Sequence, residues 1–193
     1  MKVPVPLGQA LRLILPGTVG LVTTEYRGRY NVATVSWLAP VSREPPLVAV
    51  ALQPSTLSHD MIRRSGEFVV NVPSLDVLNQ VVYCGRYSGN DLDKFAQTGL
   101  QMDDPHSVRA PLIAQCIGHL ECALVNAYQP GDHTIFVGQV AYAWAEEGTF
   151  DETWLLPEKD LKPLHHLGGT WFGTLEERID ATPSDLKASA ENG

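Results

Sequence analysis

The residues able to do chemistry are scattered along this chain, and the familiar constellations are missing. No Gly-x-Gly-x-x-Gly follows a strand and no Gly-x-x-x-x-Gly-Lys-[Ser/Thr] occurs, so neither a dinucleotide nor a triphosphate has its usual backbone cradle. Gly85-Arg86-Tyr87-Ser88-Gly89 has its serine in the wrong place for a nucleophile elbow. The six histidines form no His-x-His or His-Glu-x-x-His pair, and His165 and His166, being adjacent, would point to opposite faces of a strand. No metal site is expected. What remains are polar groups set into apolar segments. Asn31, Thr34 and Ser36 precede Trp37 on one run, and Thr56 and Ser58 open a helical stretch where hydroxyl donors coincide with free backbone N–H groups. Lys94 carries one positive charge on a short helix, and His133 follows the Gly131-Asp132 turn. Each has an ordinary alternative: a barrel wall with Trp37 in the core, a helix N-cap, an exposed lysine, a turn-stabilising imidazole.

The elements that must hold these residues read mostly as strands. Val19–Tyr26 is apolar and β-branched, and Tyr26-Arg27-Gly28-Arg29 reads as a hairpin turn into Tyr30–Trp37. After a bend, Pro45-Pro46 opens the apolar run Leu47–Leu52, which suits a strand buried on both faces. Ser58–Ser65 reads as a helix with Thr56 or Ser58 as N-cap and Gly66 as stop. Phe68–Val72 is a strand, Leu75–Tyr83 a helix, and Gly85–Gly99 a loop ending in a short helix over Asp91–Gln97. Cys116–Tyr128 and Thr134–Trp144 are long strands joined by the turn Gln129-Pro130-Gly131-Asp132. Leu164–Phe172 is a last strand or loop containing Gly168-Gly169. Strand runs with only short helices between them favour a closed or split antiparallel barrel over a doubly wound sheet.

Composition narrows the functional classes. The 193 residues fit one domain, over 1–175, followed by a polar tail over 176–193. A net charge of −8 argues against a nucleic-acid partner, and the apolar runs are too short to span a bilayer. The N-terminal apolar stretch is broken by Pro4, Pro6, Gly8, Arg12, Pro16 and Gly17, and reads as no signal peptide. Cys84, Cys116 and Cys122 are odd in number and form no Cys-x-x-Cys, so a disulfide framework is not expected and a reducing cytoplasm is the default location.

The block Asn31-Val32-Ala33-Thr34-Val35-Ser36-Trp37, then Leu38-Ala39-Pro40-Val41-Ser42 and Pro45-Pro46-Leu47-Val48, resembles the FMN-binding segment of the flavin reductase-like split-barrel family, and its flavoredoxin branch in particular. The resemblance extends over roughly Gly17–Phe172. Glu67–Val72 looks like a conserved-type strand of that family, and Cys84-Gly85, Ser88-Gly89 and Asp93-Lys94-Phe95 like its loop-helix block. Glu121-Cys122, Gly131-Asp132-His133 and Val137-Gly138 look like its late hairpin, and five such blocks in order make the match specific.

The fold this implies is mostly β with short helices: an antiparallel Greek-key split β-barrel that binds FMN. The resemblance implies that Asn31, Thr34, Val35, Ser36 and Trp37 meet the ribityl chain and the isoalloxazine. Thr56, Ser58 and Lys94 fall to the phosphate, Ser88, Asn71 and Phe95 are further cofactor-binding candidates, and His133 and, by a looser match, His166 lie near the flavin or nicotinamide. An acidic protein needs such local donors and charge to hold a phosphate against its own background potential. One departure stands out: relatives place an arginine just before the hydroxyl residue of the phosphate loop, where this chain has Leu57 between Thr56 and Ser58. Tightness of FMN binding is thereby in question, and FAD is the alternative cofactor. The implied activity is an NAD(P)H-dependent flavin reductase-like oxidoreductase, with NAD(P)H a transient co-substrate over the flavin and His133 the catalytic candidate. The alternative is a non-enzymatic electron carrier. A homodimer is expected, with a redox partner protein or monooxygenase as acceptor.

Overall fold

The computed structural model describes residues 3–156 and 161–179; the expected tail beyond residue 179 lies outside the described residues. The strands are β1 (Gly17–Thr18), β2 (Gly20–Tyr26), β3 (Arg29–Val35), β4 (Leu38–Ser42), β5 (Leu47–Leu52) and β6 (Glu67–Val72). Then follow β7 (Met102–Asp103), β8 (Leu112–Ile113), β9 (Gly118–Tyr128), β10 (Thr134–Ala145), β11 (Phe150–Asp151), β12 (Thr153–Trp154), β13 (Leu164–Gly168) and β14 (Trp171–Thr174). The α-helices are α1 (Leu57–Ser65), α2 (Leu78–Arg86) and α3 (Lys94–Thr98), and 3-10 turns cover Leu7–Ile14 and Leu75–Val77.

Seven strands make the main sheet in the order β3-β2-β6-β9-β10-β5-β4, every pair antiparallel. Both ends of that order, β3 and β4 with β5, send residues into one core: Ala33 and Val35 meet Val48, Val50, Phe68 and Phe136. The sheet therefore curls on itself without closing its edge ladder, which is a split barrel. The interior is filled to contact. A Cβ on Gly138 would sit 2.5 Å from the Phe68 ring, so the ring is seated only because residue 138 lacks one.

The β2–β3 hairpin turns on Arg27 and Gly28, both at positive φ (54° and 76°), as a two-residue turn of the primed type requires. Thr56, not Ser58, is the N-cap of α1; its hydroxyl accepts from the His59 N–H, and Gly66 ends the helix in the left-handed region. On the barrel's outer side the 3-10 turn over Leu75–Val77 together with α2 and α3 lays Val77, Val81, Cys84 and Phe95 against Leu21, Val32 and Leu164.

Four expectations are corrected. Leu38–Ser42, read as a bend, is the edge strand β4, which can hold Pro40 because an edge tolerates the missing N–H. The run Leu47–Leu52 is buried on one face only, its residues alternating between buried and half-buried, because Ala49 and Ala51 line a surface cleft. The helix read over Leu75–Tyr83 begins as a 3-10 turn and runs on as α2 through Gly85 to Arg86. The helix expected over Asp91–Gln97 begins only at Lys94, where the Asp93 carboxylate caps the Ala96 N–H at 3.1 Å.

Candidate functional site

Three clefts run end to end along the outside of β3. The first, about 240 Å³, is polar and lies between the start of α1 and the end of α2, with Asn31, Thr56, Arg86, Ser88 and Lys94 in its wall. It shares Thr34, Gly85 and Arg86 with a second cleft of about 580 Å³, which is completed by Ser36, His166 and Phe172. Ser36 is in turn the boundary of a third cleft of about 490 Å³, apolar, formed by Trp37, Leu38, Ala49, Ala51 and Ile135 beneath Leu11 and Ile14. A strand with side chains alternating every 3.3 Å or so is what strings these spaces in line.

The polar cleft is built around Lys94. Its side chain is 5% exposed, and Nζ donates to the carbonyls of Val32 (2.9 Å) and Cys84 (2.7 Å). A third N–H is left over, and no ion pair of Lys94 occurs among the described residues. Burial lowers its pKa, so the fold disfavours the charge it holds there. A buried cation without a carboxylate, beside an open polar cleft, fits an anion supplied from outside. The glycines make room: a Cβ on Gly89 would lie 2.0 Å from Asn31 Oδ1, and one on Gly85 would lie 3.2 Å from Thr34 Cβ. The cleft wall also holds Arg86, a residue that sequence reasoning passed over. It stands at the end of α2, three residues before Gly89, and puts an arginine in the wall of the cleft although none precedes Ser58.

The expected site residues divide into two groups. Asn31, Thr34, Ser36, Trp37, Thr56, Ser88, Lys94 and His166 all line this train of clefts. Thr34 is steadied by donating to the Val81 carbonyl at 2.6 Å, and the His166 ring meets Phe172 at 5.1 Å. His166 Nε2 meets the Gly169 carbonyl at 3.1 Å, and its Nδ1 is buried without a partner, free for a polar edge placed in the middle cleft.

The others are turned elsewhere. Val35 points into the barrel core, because alternation that aims Thr34 and Ser36 outward aims it inward. Phe95 packs in the core beneath α2 and α3. Asn71 is fully committed: Nδ2 donates to the Leu21 carbonyl and Thr23 Oγ1, while Oδ1 accepts from the Ile113 N–H at 2.9 Å and meets His119 Nδ1 at 2.8 Å. Ser58 is fully buried in the first turn of α1, where its Oγ accepts from Asn31 Nδ2 at 2.8 Å. It orients Asn31 and does not itself line the cleft. His133 stands outside the clefts, its ring tilted by 41° against Trp37 with centroids 4.7 Å apart and hydrogen-bonded through Nδ1 to Asp132 at 2.7 Å. Trp37 itself is 45% exposed, which removes it from the core.

Over residues 11–169 the chain matches the flavin reductase like domain family. The chain belongs to that family. This flavin reductase-like protein is 32% identical to YddH of Escherichia coli over 185 residues, 93% of the chain and 97% of YddH. Among solved structures it is similar to the flavoredoxin of Methanosarcina acetivorans, with a TM-score of 0.83 and 25% identity over 97% of this chain and 98% of that one. It is similar also to an FMN-binding domain of a flavin reductases-like enzyme from Shewanella baltica, with a TM-score of 0.79 and 28% identity over 92% and 96% of the two chains. The fold is the FMN-binding split barrel. No helix among the described residues is long and apolar enough to cross a membrane, and no cluster of metal-ligating side chains occurs among them.

Proposed function

We propose that this protein binds FMN along the three clefts and works as an NAD(P)H-dependent flavin reductase-like oxidoreductase. The observation that carries the reading is Lys94: a buried, carboxylate-free cation at the polar end of a groove whose other end is apolar and aromatic. Those two ends match a phosphate and a tricyclic ring joined by a polyol. Lys94, Arg86, Thr56 and Ser88 would hold the phosphate; Asn31, Thr34 and His166 would face the polyol and the polar ring edge; Trp37 would back the ring system. When bound, the flavin supplies the chemistry, taking hydride from a nicotinamide and passing electrons to an acceptor. The residues of the chain bind, orient and exclude water. Packed at a tilt against Trp37, His133 would fix the wall against which the coenzyme lies.

Kinship with a flavoredoxin keeps a second reading alive, an electron carrier reduced by a partner protein. Titration of the purified protein with FMN, followed by anaerobic NADH and NADPH, tests both. A fluorescence change at micromolar protein with about one FMN per chain is expected, and then bleaching by one coenzyme. No flavin binding overturns the assignment; bleaching by dithionite alone moves it to the carrier.

A homodimer is part of this proposal. Leu7, Leu11, Leu13 and Ile14 stand exposed on a 3-10 turn with no buried residue, beside the half-exposed Trp37, and pairing of like faces is the commonest cover for such a surface. Light scattering should give twice 21.1 kDa across a dilution series. A cytoplasmic location is proposed on the same footing, since all three cysteines are free thiols and buried.

A further inference from the structure

We propose that the end of the barrel formed by the tip of the β2–β3 hairpin and the last turn of α1 is a docking surface for a protein that presents a carboxylate-rich face. This goes beyond the flavin reading and does not depend on it. The chain carries a net charge of −8, yet five of its fourteen lysines and arginines meet here. All five are exposed arginines: Arg27 and Arg29 at the hairpin, Arg63 and Arg64 on α1, and Arg109 on the loop before β8. Their contacts make one patch. The Arg27 and Arg64 guanidinium groups lie over the same ring, Tyr26, at 5.2 Å and 5.9 Å from its centre. Arg29 is the register partner of Tyr26 across the hairpin, and Arg109 reaches the end of α1, where its Nη2 donates to the Ser65 carbonyl at 3.5 Å.

The carboxylates around it are already engaged. Asp60 is paired with Arg64 at 2.8 Å and Glu67 with Arg109 at 2.8 Å. One Glu25 oxygen lies 3.5 Å from Arg109 and the other accepts from the Gly28 N–H at 2.7 Å. Arg27, Arg29 and Arg63 have no ion pair among the described residues. Beyond Arg29 the patch stops at Asp91 and Asp93, which share a further cleft with it. The residue type selects the partner: a guanidinium pairs with a carboxylate through two parallel hydrogen bonds and gives up its water more readily than an ammonium. Tyr26 restrains two of the five, so less side-chain freedom is lost on docking. Three uncompensated charges are few for a nucleic acid, whose hold draws on about 6–10 phosphate contacts. The rest of this acidic surface repels an acidic protein, so attraction at this end alone fixes how it approaches. Along β3, Arg29 stands about 23 Å from Ser36 at roughly 3.3 Å per residue, so a docked partner leaves the apolar cleft open.

The test titrates labelled poly-L-glutamate, and poly-uridylate of matched length, against the full chain at low salt and follows anisotropy. Three proteins are compared: wild type, Arg27→Glu with Arg63→Glu, and Arg43→Glu with Arg178→Glu. The last pair changes net charge equally at exposed arginines outside the patch. Wild type should bind poly-glutamate, more weakly as salt rises. The patch variant should bind at least roughly tenfold more weakly, through two lost pairs and added repulsion, and the control within about twofold of wild type. Thermal melting of each variant reports that it is folded. Equal losses in the two variants, or no poly-glutamate binding by the wild type, overturns the surface. Tighter binding of poly-uridylate than of poly-glutamate overturns the acidic protein as its partner.

Discussion

Glu121 on β9 and Lys94 on α3 are both sealed from solvent, yet the fold completes the one and leaves the other incomplete. Four donors converge on Glu121: the N–H groups of His106 and Ser107, the Ser107 hydroxyl and the Trp144 indole, at 2.6–2.9 Å. Burial alone would raise its pKa, but those hydrogen bonds together bring it down to about 2. This charge is finished by the protein itself, and its work is to clasp the 106–107 loop onto the hairpin of β9 and β10. Lys94 receives only two carbonyls, and burial pushes its pKa down rather than up. Its charge is therefore left incompletely satisfied by the described residues. A structural charge is satisfied within the fold; under the function proposed above, Lys94 would be a binding charge, held ready at some cost in stability.

The largest effect follows from breaking the Lys94 side of this contrast. An exposed lysine would tolerate Lys94→Glu in the fold, but a buried one does not: the new carboxylate would face the Val32 and Cys84 carbonyls with no donor. A stability loss of about 3–5 kcal/mol is expected for an unpaired buried charge. Lys94→Met is the cleaner probe, since it keeps the apolar stem. FMN affinity should fall roughly 10- to 150-fold, the worth of one charge-assisted hydrogen bond, while riboflavin affinity stays nearly level. If riboflavin fell in step with FMN, the phosphate would lie elsewhere. A pH series sharpens this: FMN affinity should decline as pH rises through the lowered Lys94 pKa and the cation is lost.

Glu121 should behave in the opposite way. Its folded pKa of about 2 lies below its ordinary 4.5, so its contribution is fully present above pH 4.5 and is lost as pH falls through the window down to about 2. That contribution is on the order of 3 kcal/mol. Glu121→Gln should remove most of it at neutral pH, flatten the acid limb of the stability curve and leave FMN affinity unchanged. Denaturant titrations at several pH values, with flavin binding measured on the same samples, decide this. An unfolding midpoint that shifted equally in both proteins below pH 4.5 would refute the assignment.

How much of this could be read from residues alone depends on what kind of fact each was. The hairpin at Arg27-Gly28, the α1 boundaries and the long pair β9 and β10 are local facts of turn chemistry and alternation, and the sequence carried them. The train of clefts was half legible. The block Asn31–Trp37, which outruns β3 by two residues, and Lys94 were found through family resemblance, whereas Arg86 was hidden at the end of a helix whose last turn runs through Gly85. Asn71 and Ser58 misled for one reason: a polar residue in an apolar run signals a buried hydrogen bond as readily as a ligand contact. Only three-dimensional pairing shows that Asn71 is spent on β2 and β8 and Ser58 on Asn31.

The smallest expected effect lies at the apolar end, where the groove contrasts with its own polar anchor. Here nothing is sealed: Trp37 is half exposed and His133 leans on it from outside the clefts. Asp132 holds that imidazole through Nδ1, and this exposed carboxylate has its pKa lowered by the same hydrogen bond. His133→Ala should leave FMN affinity within about twofold, because no phosphate or polyol contact is touched. Losing a ring pair worth about 0.5–1.5 kcal/mol lets Trp37 wander, and flavin reduction by the coenzyme should slow roughly 2- to 10-fold. His133→Phe restores a ring without the Asp132 bond and should recover most of the rate. Stopped-flow reduction under anaerobic conditions reads this directly. Full recovery by phenylalanine assigns His133 to positioning Trp37; no recovery, with FMN still bound, makes the imidazole nitrogen itself the group that meets the coenzyme.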